Sequence, residues 1–251
     1  MFMNKYLSMA VLALCVACAP IQSIDTPNAP DDPEKTDYLI AHYTFDSNCF
    51  DMSANSYDAV AVGTPSFPGD TPDGSVAAIK INGFKGQFVN IPYSFMNGLK
   101  EYTVSMWVKD FTPGILFSAI SSDYVRSDYP RLLVTDDQRF RFYTGYDNYD
   151  TTKPFAYDCV PIMSGDWHHI AVTVKGIEGK SDYVEASLYV DGVRVDSIEN
   201  YWSGGASHKM VLGSDRDGSY PVSMTATYDN VRFYGCALSA SEIKNLYNNC
   251  L

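Results

Sequence analysis

Two adjacent histidines are the first residues whose types and spacing suggest chemistry. In the stretch GDWHHIAV, residues 165–172, His168 and His169 follow a tryptophan. Two imidazoles could bind a metal ion or act as an acid–base pair, but the surrounding residues have the composition of a β-strand. Side chains of a strand alternate between its two faces, so these histidines point to opposite sides of a sheet and cannot ligate one ion. We predict structural roles for both.

The carboxylate pair that glycoside hydrolysis requires is missing from the sequence pattern. A retaining mechanism needs two carboxyl groups about 5 Å apart, which a strand supplies at even spacing on one face. The glutamates form no i, i+2 or i, i+4 pair with one another, and Asp182 and Glu185 sit at odd spacing. No Ser-His-Asp or Cys-His order and no glycine-rich phosphate loop stands out. We expect a non-catalytic protein, with a glycoside hydrolase as the less favoured alternative.

Aromatic residues in turn-rich sequence are the candidates for ligand contact. Sugar rings have flat apolar faces, so glycan sites combine an exposed Tyr or Trp with amide, carboxylate or arginine partners. The predicted carbohydrate-binding residues are Tyr124, Tyr129, Arg131, Tyr146, Asn148, Tyr149 and Trp202. Because the chain has 19 tyrosines, packing of these rings within loops is the competing interpretation. Trp107 and Trp167 lie in strand-like runs and are predicted to be buried in the core.

The elements that must position these residues are strands. Short, alternating, β-branched or aromatic runs predict strands at 39–45, 76–81, 88–91, 102–109, 115–120 and 139–143. The clearest hairpin is 186–196, where Asp191-Gly192 supplies the two positive-φ residues of a type I′ turn.

One short helix is signalled near the C-terminus. Ser239 is its predicted N-cap, and Glu242 completes a capping box. Ile243, Leu246 and Tyr247 share one face, so we expect this helix to seal an edge or rim of the sheets.

Composition and charge limit the possible functions. The chain of 251 residues has 46% hydrophobic residues, enough for a sizeable core. Its formal net charge of −12 would repel phosphate backbones, and no basic patch is found. Nucleic acid is therefore excluded as a partner.

The N-terminus reads as an export signal. Residues 1–19, MFMNKYLSMAVLALCVACA, contain one lysine, a short apolar run and small residues. They resemble bacterial lipoprotein signals, in which a small residue, here Ala17, precedes the lipidated cysteine, here Cys18. We predict a signal peptide at 1–17, a Pro/Asp-rich tether at 18–37 and a folded domain at 38–251. The protein would be an outer-membrane or cell-surface lipoprotein, held to the membrane only by its N-terminal lipid; a cleaved soluble secretory protein is the alternative.

Four cysteines remain after the signal, at positions 49, 159, 236 and 250. An exported chain permits disulfides, and four cysteines allow three pairings. We favour a bridge between Cys236 and Cys250, which flank the short helix, with free buried thiols as the alternative. The pairing of Cys49 and Cys159 stays open.

Several strings, in order along the chain, resemble one family. They are YTFD at 43–46, TVSMWV at 103–108, WHHIAV at 167–172, LYVDG at 188–192, YDNVRFY at 228–234 and ALSASEI at 237–243. Together they are similar to the laminin-G-like, concanavalin A-like jelly-roll domains of bacterial secreted proteins, over residues 38–251.

The resemblance implies an all-β fold, a jelly-roll sandwich of two antiparallel sheets with binding loops along its rim. It also implies one structural Ca²⁺ at Asp46 and Asp229, to which Asp51 could add a ligand; solvated loop acids are the alternative. The hydrolase motif Glu-x-Asp-x-x-Glu of this family is absent. The resulting expectation is a lectin-like module that binds a polysaccharide or other glycan. A protein-binding adhesin, or a structural subunit of a surface protein complex, is the alternative.

Overall fold

The computed structural model describes residues 38–93, 95–120, 130–144, 154–202, 209–214 and 224–249. All of them fall within one compact unit, Asp32–Leu251. The predicted signal peptide, the tether and Cys18 lie outside the described residues. In the described part of the chain, no helix has both the length and the apolar character needed to cross a membrane.

Strands dominate the described residues. They are β1 (Leu39–Tyr43), β2 (Val60–Val62), β3 (Ile79–Asn82), β4 (Phe88–Ile91), β5 (Tyr102–Lys109), β6 (Gly114–Ile120), β7 (Arg131–Val134), β8 (Phe140–Tyr143), β9 (His168–Ile177), β10 (Lys180–Val190), β11 (Val193–Tyr201), β12 (Lys209–Leu212) and β13 (Thr225–Tyr234). One α-helix, α1 (Ala240–Asn248), follows them. All six strands expected from alternation are present, with ends shifted by up to three residues.

The strands form two antiparallel sheets. The first sheet has the order β1-β13-β5-β9-β10-β11, with β3 as an additional partner of β13. The second has the order β2-β4-β12-β6-β7-β8. The predicted all-β sandwich of two antiparallel sheets with one short helix is therefore confirmed.

Strand β13 is the structural centre of the first sheet. Thr225 to Tyr228 pair with β3, and Val231 to Tyr234 pair with β1, while β5 runs along the other side. Between these two halves the register shifts, and Asn230 has a φ of 46°. Such a bulge bends the strand locally, and it lies where the neighbour of β13 changes.

The core lies between the sheets and follows strand alternation. On β5, Tyr102, Val104, Met106 and Val108 belong to the main buried cluster. Full burial of each large apolar side chain stabilises the fold by roughly 1.5–3 kcal/mol. On the opposite face of β5, Trp107 stacks on Tyr247 of α1.

The two adjacent histidines do not share a site, as predicted. His168 is half-buried, and its Nδ1 lies 2.8 Å from Asp191 Oδ2. His169 is fully buried with its Nε2 2.8 Å from Ser105 Oγ, and its ring is 5.4 Å from the Trp107 ring. Alternation along β9 therefore gives each imidazole its own structural surroundings.

The hairpin between β10 and β11 has the predicted turn. Asp191 and Gly192 have φ values of 49° and 74°, the left-handed conformation that a type I′ turn requires. A Cβ on Gly192 would lie 3.1 Å from Tyr247 Cβ, so glycine also allows α1 to approach.

Helix α1 begins with the predicted capping box. Ser239 Oγ accepts from the Glu242 N–H at 3.3 Å, and Glu242 Oε2 accepts from the Ser239 N–H at 2.6 Å. Ile243 and Leu246 pack against the outer face of the first sheet. Tyr247 stacks on Trp107 with ring centroids 5.5 Å apart. The helix therefore seals that face, as its amphipathic pattern indicated.

Of the two tryptophans that were predicted to be buried, one is buried and the other is not. Trp107 is buried as predicted, but beneath α1 rather than between the sheets. The prediction for Trp167 is wrong: it precedes β9, is half-buried, and its Nε1 donates to Asp70 Oδ1 at 3.2 Å. Asp70 lies 97 positions away, and that contact is not encoded in the local pattern.

No disulfide is present among the described residues. Cys49 and Cys159 are free, buried thiols, and burial raises their pKa values to about 11 and about 12. Cys250 lies outside the described residues, so its bridge to Cys236 stays a prediction.

Acid should destabilise the fold through His169. Burial, and then the charge of Arg232, lower the pKa of His169 to about 3. The fold favours the neutral imidazole. The contribution of His169 to the free energy of unfolding is therefore complete above the unfolded pKa of about 6.5, and it falls by about 1.4 kcal/mol per pH unit below that value. We expect the free energy of unfolding, measured by denaturant melts between pH 7 and pH 4.5, to fall less steeply for His169→Gln than for the unmodified protein.

Ser105→Ala is the control for this slope. It removes the hydrogen-bond partner of His169 but keeps the buried imidazole, so this variant should keep the original pH dependence. Equal slopes for His169→Gln and the unmodified protein would contradict the argument.

Candidate functional site

The predicted carbohydrate-binding residues belong to segments that connect strands. Tyr124, Tyr129, Tyr146, Asn148 and Tyr149 lie outside the described residues. Arg131 and Trp202 are described: Arg131 opens β7, and Trp202 directly follows β11.

The strand ends that border these segments meet at one end of the sandwich. Ile120, the last residue of β6, pairs with Lys209, the first residue of β12. Arg131, the first residue of β7, pairs with Tyr143, the last residue of β8. Positions far apart in sequence are therefore gathered at this end by the pairing of the second sheet.

Two hydrogen bonds tie the edge strands of the two sheets together here. Thr144 Oγ1 donates to the Tyr201 carbonyl at 2.8 Å, and Asn200 Nδ2 donates to the Phe142 carbonyl at 2.9 Å. The end of β11 is thereby fixed beside the end of β8. We call five side chains near this end the aromatic rim: Arg131, Tyr143, Tyr183, Tyr201 and Trp202.

Cationic and aromatic side chains are layered on the outer side of the second sheet. The Arg131 guanidinium lies 4.2 Å from the centroid of the Tyr143 ring, and Arg141 Nη1 donates to Tyr143 Oη at 3.4 Å. Arg141 Nε is buried without a hydrogen-bond partner among the described residues. Guanidinium N–H groups are donors to hydroxyl, carboxylate and sulfate oxygens, so this layer can bind a polar or anionic ligand.

Trp202 is held by the protein more closely than its loop-like sequence suggested. It is half-buried against the core, and its Nε1 donates to the Leu99 carbonyl at 3.0 Å. Lys100 Nζ lies 4.4 Å from the centroid of its ring. A ligand can therefore reach only the part of the indole that this packing leaves exposed.

Among the described residues, two tyrosines that the sequence analysis missed supply exposed aromatic surface near this end. Tyr183 and Tyr201 pair directly across β10 and β11, with rings 5.7 Å apart at 88°. They are 41% and 43% exposed, on the outer face of the first sheet. Their outward register in the long hairpin was the available signal.

A shallow cleft lies beside this tyrosine pair. Its volume is about 430 Å³, and it is lined by Lys100, Gly176, Ile177, Gly179, Lys180 and Ser181. Lys180 Nζ also bonds Glu199 at 2.7 Å. Polar groups therefore flank the tyrosine rings, which is the combination that glycan contact requires.

The predicted metal residue Asp229 is a buried carboxyl at the bulge of β13. Its Oδ1 accepts from the Asn230 N–H at 2.7 Å, while its Oδ2 is buried without a partner among the described residues. Burial, followed by the charges of Asp73 and Asp46, raises its pKa to about 8. An ionised carboxylate buried in this way is costly unless a proton or a cation neutralises it.

Asp46 and Asp73 are the other carboxyls near Asp229. Asp46 Oδ1 accepts from the N–H groups of Val76 and Ala77 at 2.8 and 3.2 Å. Asp73 Oδ2 accepts from Asn230 Nδ2 at 2.9 Å. Among the described residues, no group of three or more His, Cys, Asp or Glu side chains is close enough to form a complete metal site. A cation here would therefore also need carbonyl or water oxygens, which Ca²⁺ accepts.

Asp51, considered as a further ligand, instead organises its own loop. It accepts from the N–H groups of His42, Ser53 and Tyr57 at 2.8–2.9 Å and from Ser53 Oγ at 2.7 Å. These bonds occupy both carboxylate oxygens. Asp46 and Asp229 therefore stay the predicted metal residues, and Asp229 Oδ2 is the carboxylate oxygen that lacks a partner among the described residues.

The Ser105–His169 hydrogen bond has the residue types of a catalytic dyad but no access for a substrate. Both residues are 0% exposed, and His169 Nδ1 has no partner among the described residues. The pair lies beneath α1, and its role is to satisfy polar groups in packed surroundings.

Solved structures of similar fold include domains that were solved with a bound ligand or protein. Domain 4 of AbnA, a GH43 extracellular arabinanase from Geobacillus stearothermophilus, solved with arabinotriose, matches with a TM-score of 0.61 at 22% identity, over 84% of this chain and 98% of that domain. The binding domain of botulinum neurotoxin DC, solved with SialylT, gives a TM-score of 0.63 at 15% identity and covers 86% of this chain. The same domain with rat synaptotagmin II gives 0.65 at 13% identity, over 87% of this chain. The chain spans about half of these neurotoxin structures, 52% and 53%.

A protein-family model matches residues 83–244, which is more than half of the chain. Its description, concanavalin A-like lectin/glucanases superfamily, agrees with the two antiparallel sheets and with the predicted resemblance. The chain belongs to the concanavalin A-like lectin/glucanases superfamily.

Proposed function

We propose that the protein is a non-catalytic extracellular module that binds a polysaccharide or other glycan at the aromatic rim. It would be carried on the outer membrane or cell surface by a lipid on Cys18. The predicted signal sequence supports export, and the missing Glu-x-Asp-x-x-Glu motif supports binding without cleavage.

The observation that carries this proposal is that the strand ends bordering the predicted binding segments meet at one end of the sandwich. Strand pairing brings the borders of 121–129, 145–153 and 203–208 together. Loops on a rigid scaffold are the usual place for binding residues. The described part of this end contributes guanidinium donors and the exposed tyrosine pair, which suit sugar hydroxyls and the apolar faces of sugar rings.

The complexes of similar folds add general support. Arabinotriose and SialylT were bound to two of them. A protein-binding adhesin or surface-complex subunit is the second candidate, because a similar domain was solved with rat synaptotagmin II.

We also propose one structural Ca²⁺ held by Asp46 and Asp229, with backbone carbonyl or water oxygens completing its coordination. Bound calcium would supply the positive charge that the buried Asp229 carboxylate lacks. It would also brace the bulge of β13 against the loop that follows β1.

Removal of the exposed tyrosine pair should weaken glycan binding. Truncation of aromatic anchors in binding sites commonly costs about 2 kcal/mol or more, so we expect at least a tenfold loss of affinity for Tyr183→Ala combined with Tyr201→Ala. The measurement is calorimetric titration with arabinotriose, a sialylated oligosaccharide and a polysaccharide panel, with reducing ends assayed in parallel.

Tyr38→Ala is the matched control, since Tyr38, directly before β1, is 51% exposed. Binding that survives the double substitution would overturn the assignment of the rim. Release of reducing ends would overturn the non-catalytic reading, and a chain that binds none of the probes would favour a protein partner.

Calcium should stabilise the fold through Asp229. A ligand at 100 times its Kd stabilises the native state by about 2.7 kcal/mol, so we expect Ca²⁺ to raise Tm relative to EDTA. Asp229→Asn, which keeps the size of the side chain without its charge, should melt at the same temperature in both buffers.

Asp70→Asn is the control for this experiment, because Asp70 is a surface partner of Lys109, with an N–O distance of 2.8 Å. It should retain the calcium response. An unmodified protein whose Tm ignores EDTA would refute the calcium site.

A further inference from the structure

A second polar pocket lies at the opposite end of the sandwich from the aromatic rim. It is on the outer side of β3, where β13 begins, and encloses about 220 Å³. Its lining residues that matter here are Thr64, Ser66, Lys80, Asn82, Lys85 and Gln87. This volume is below the roughly 300–1,000 Å³ of pockets for drug-sized ligands, so it suits one sugar unit rather than an oligosaccharide.

The walls of this pocket are fixed by hydrogen bonds. The Gln87 side chain accepts from the Asn82 N–H at 2.9 Å and donates to the Thr64 carbonyl at 2.8 Å. The backbones of Ser66 and Lys80 exchange hydrogen bonds of 2.8 and 3.2 Å. The pocket therefore exists before a ligand arrives, which lowers the cost of binding.

A glycine allows this arrangement. Gly63 has a φ of 75°, and a Cβ there would lie 3.1 Å from Gln87 Cγ. A larger residue would displace the amide that spans the pocket wall.

The pocket has a cationic lining in a strongly acidic chain. The formal net charge of the chain is −12, yet two lysines, Lys80 and Lys85, line the pocket and no carboxylate does. Neither lysine has an ion-pair partner within the described ranges. Their ammonium groups are positioned to accept an anion as partner.

A second observation that points to a ligand is a hydrogen-bond acceptor without a partner in the described part of the chain. Asn82 Oδ1 is buried and has no hydrogen-bond partner in the described part of the chain. A buried polar atom without a partner is costly and uncommon. Asn82 lines the pocket, so a shift of its side chain would present this oxygen to a ligand hydroxyl, which would supply the missing donor.

An exposed ring lies next to these groups in sequence. Phe84 is 70% exposed and precedes Lys85 in the short 3₁₀ turn Gly83–Lys85. A phenyl ring on this turn can cover the apolar face of a sugar. The acceptor and the cations thus line the pocket, and the exposed ring lies on the same 3₁₀ turn as Lys85.

We propose that this pocket is a second carbohydrate site, which binds a single anionic sugar unit. The carboxylate or sulfate of the sugar pairs with Lys80 and Lys85, and one hydroxyl donates to Asn82 Oδ1. With the aromatic rim at the other end, the domain would hold a charged polysaccharide at two points, or bridge two chains. The pocket stands independently of the rim, since its residues are different.

The test is a titration of the full chain with D-glucuronate, D-glucose 6-sulfate, D-glucose and inorganic sulfate, followed by amide chemical shifts in NMR. Both anionic sugars, or one of them, should shift Asn82, Gln87 and Thr225 saturably, with affinity at least about tenfold above that of glucose or inorganic sulfate, because each charge-assisted bond adds to binding. Comparison of the two anionic sugars identifies whether carboxylate or sulfate is preferred.

Lys80→Gln combined with Lys85→Gln should reduce this affinity about tenfold or more. Lys175→Gln combined with Lys244→Gln removes the same charge from two other exposed positions and should leave the affinity unchanged. Equal binding of glucose, equal binding of inorganic sulfate, or full affinity in the Lys80/Lys85 variant would overturn the proposal. Loss of glucuronate binding in the Tyr183/Tyr201 variant would also overturn it, because the ligand would then belong to the rim.

Discussion

Strand β13 pairs with three other strands, β1, β3 and β5, and a bulge lies where one partner gives way to the next. This bulge shapes the middle of the first sheet. The side chain of Asn230 links the parts that meet there: its Oδ1 lies 2.9 Å from His42 Nε2, and its Nδ2 donates to Asp73 Oδ2 at 2.9 Å. The same bend buries Asp229 beside two other acids. Closing the sheet at this point therefore creates an electrostatic cost, which a bound cation would offset. The buried Asp229 carboxyl thus gives the calcium proposal a physical argument beside the family resemblance.

Because the strands are antiparallel, their connections fall at the two ends of the sandwich, and so does the candidate binding chemistry. One end has the aromatic rim, with exposed tyrosines and layered guanidinium groups. The opposite end has a small cationic pocket whose walls are fixed by the Gln87 amide. Two separate contacts on one rigid body can raise the apparent affinity for a long ligand without any new interaction, provided that the geometry allows both to bind. This arrangement suits a polymer better than a small molecule.

On the outer face of the first sheet, polar side chains such as His169 are buried beneath α1. Helix α1 covers Trp107 and His169, and Tyr247 stacks on the tryptophan. The His169 imidazole stays neutral there because burial disfavours its charged form. A residue type that suggests catalysis in the sequence is therefore a packing residue in the fold, since no substrate can reach it.

The sequence by itself determined the local elements. Alternation defined the strands, Asp191-Gly192 defined the hairpin turn, and Ser239 with Glu242 defined the start of the helix, because each signal depends on residues only a few positions apart. It also supplied Asp229 as a metal candidate through family resemblance.

Only the tertiary structure decided what those elements bring together. At the bulge of β13, Asn230 donates a hydrogen bond to Asp73, which places Asp73 near Asp229. Trp167 donates a hydrogen bond to Asp70, 97 positions away in the sequence. Strand register turned Tyr183 and Tyr201 outward as a pair, while packing drew Trp202 partly inward. These outcomes depend on pairing and contacts between distant parts of the chain, and local periodicity does not encode them.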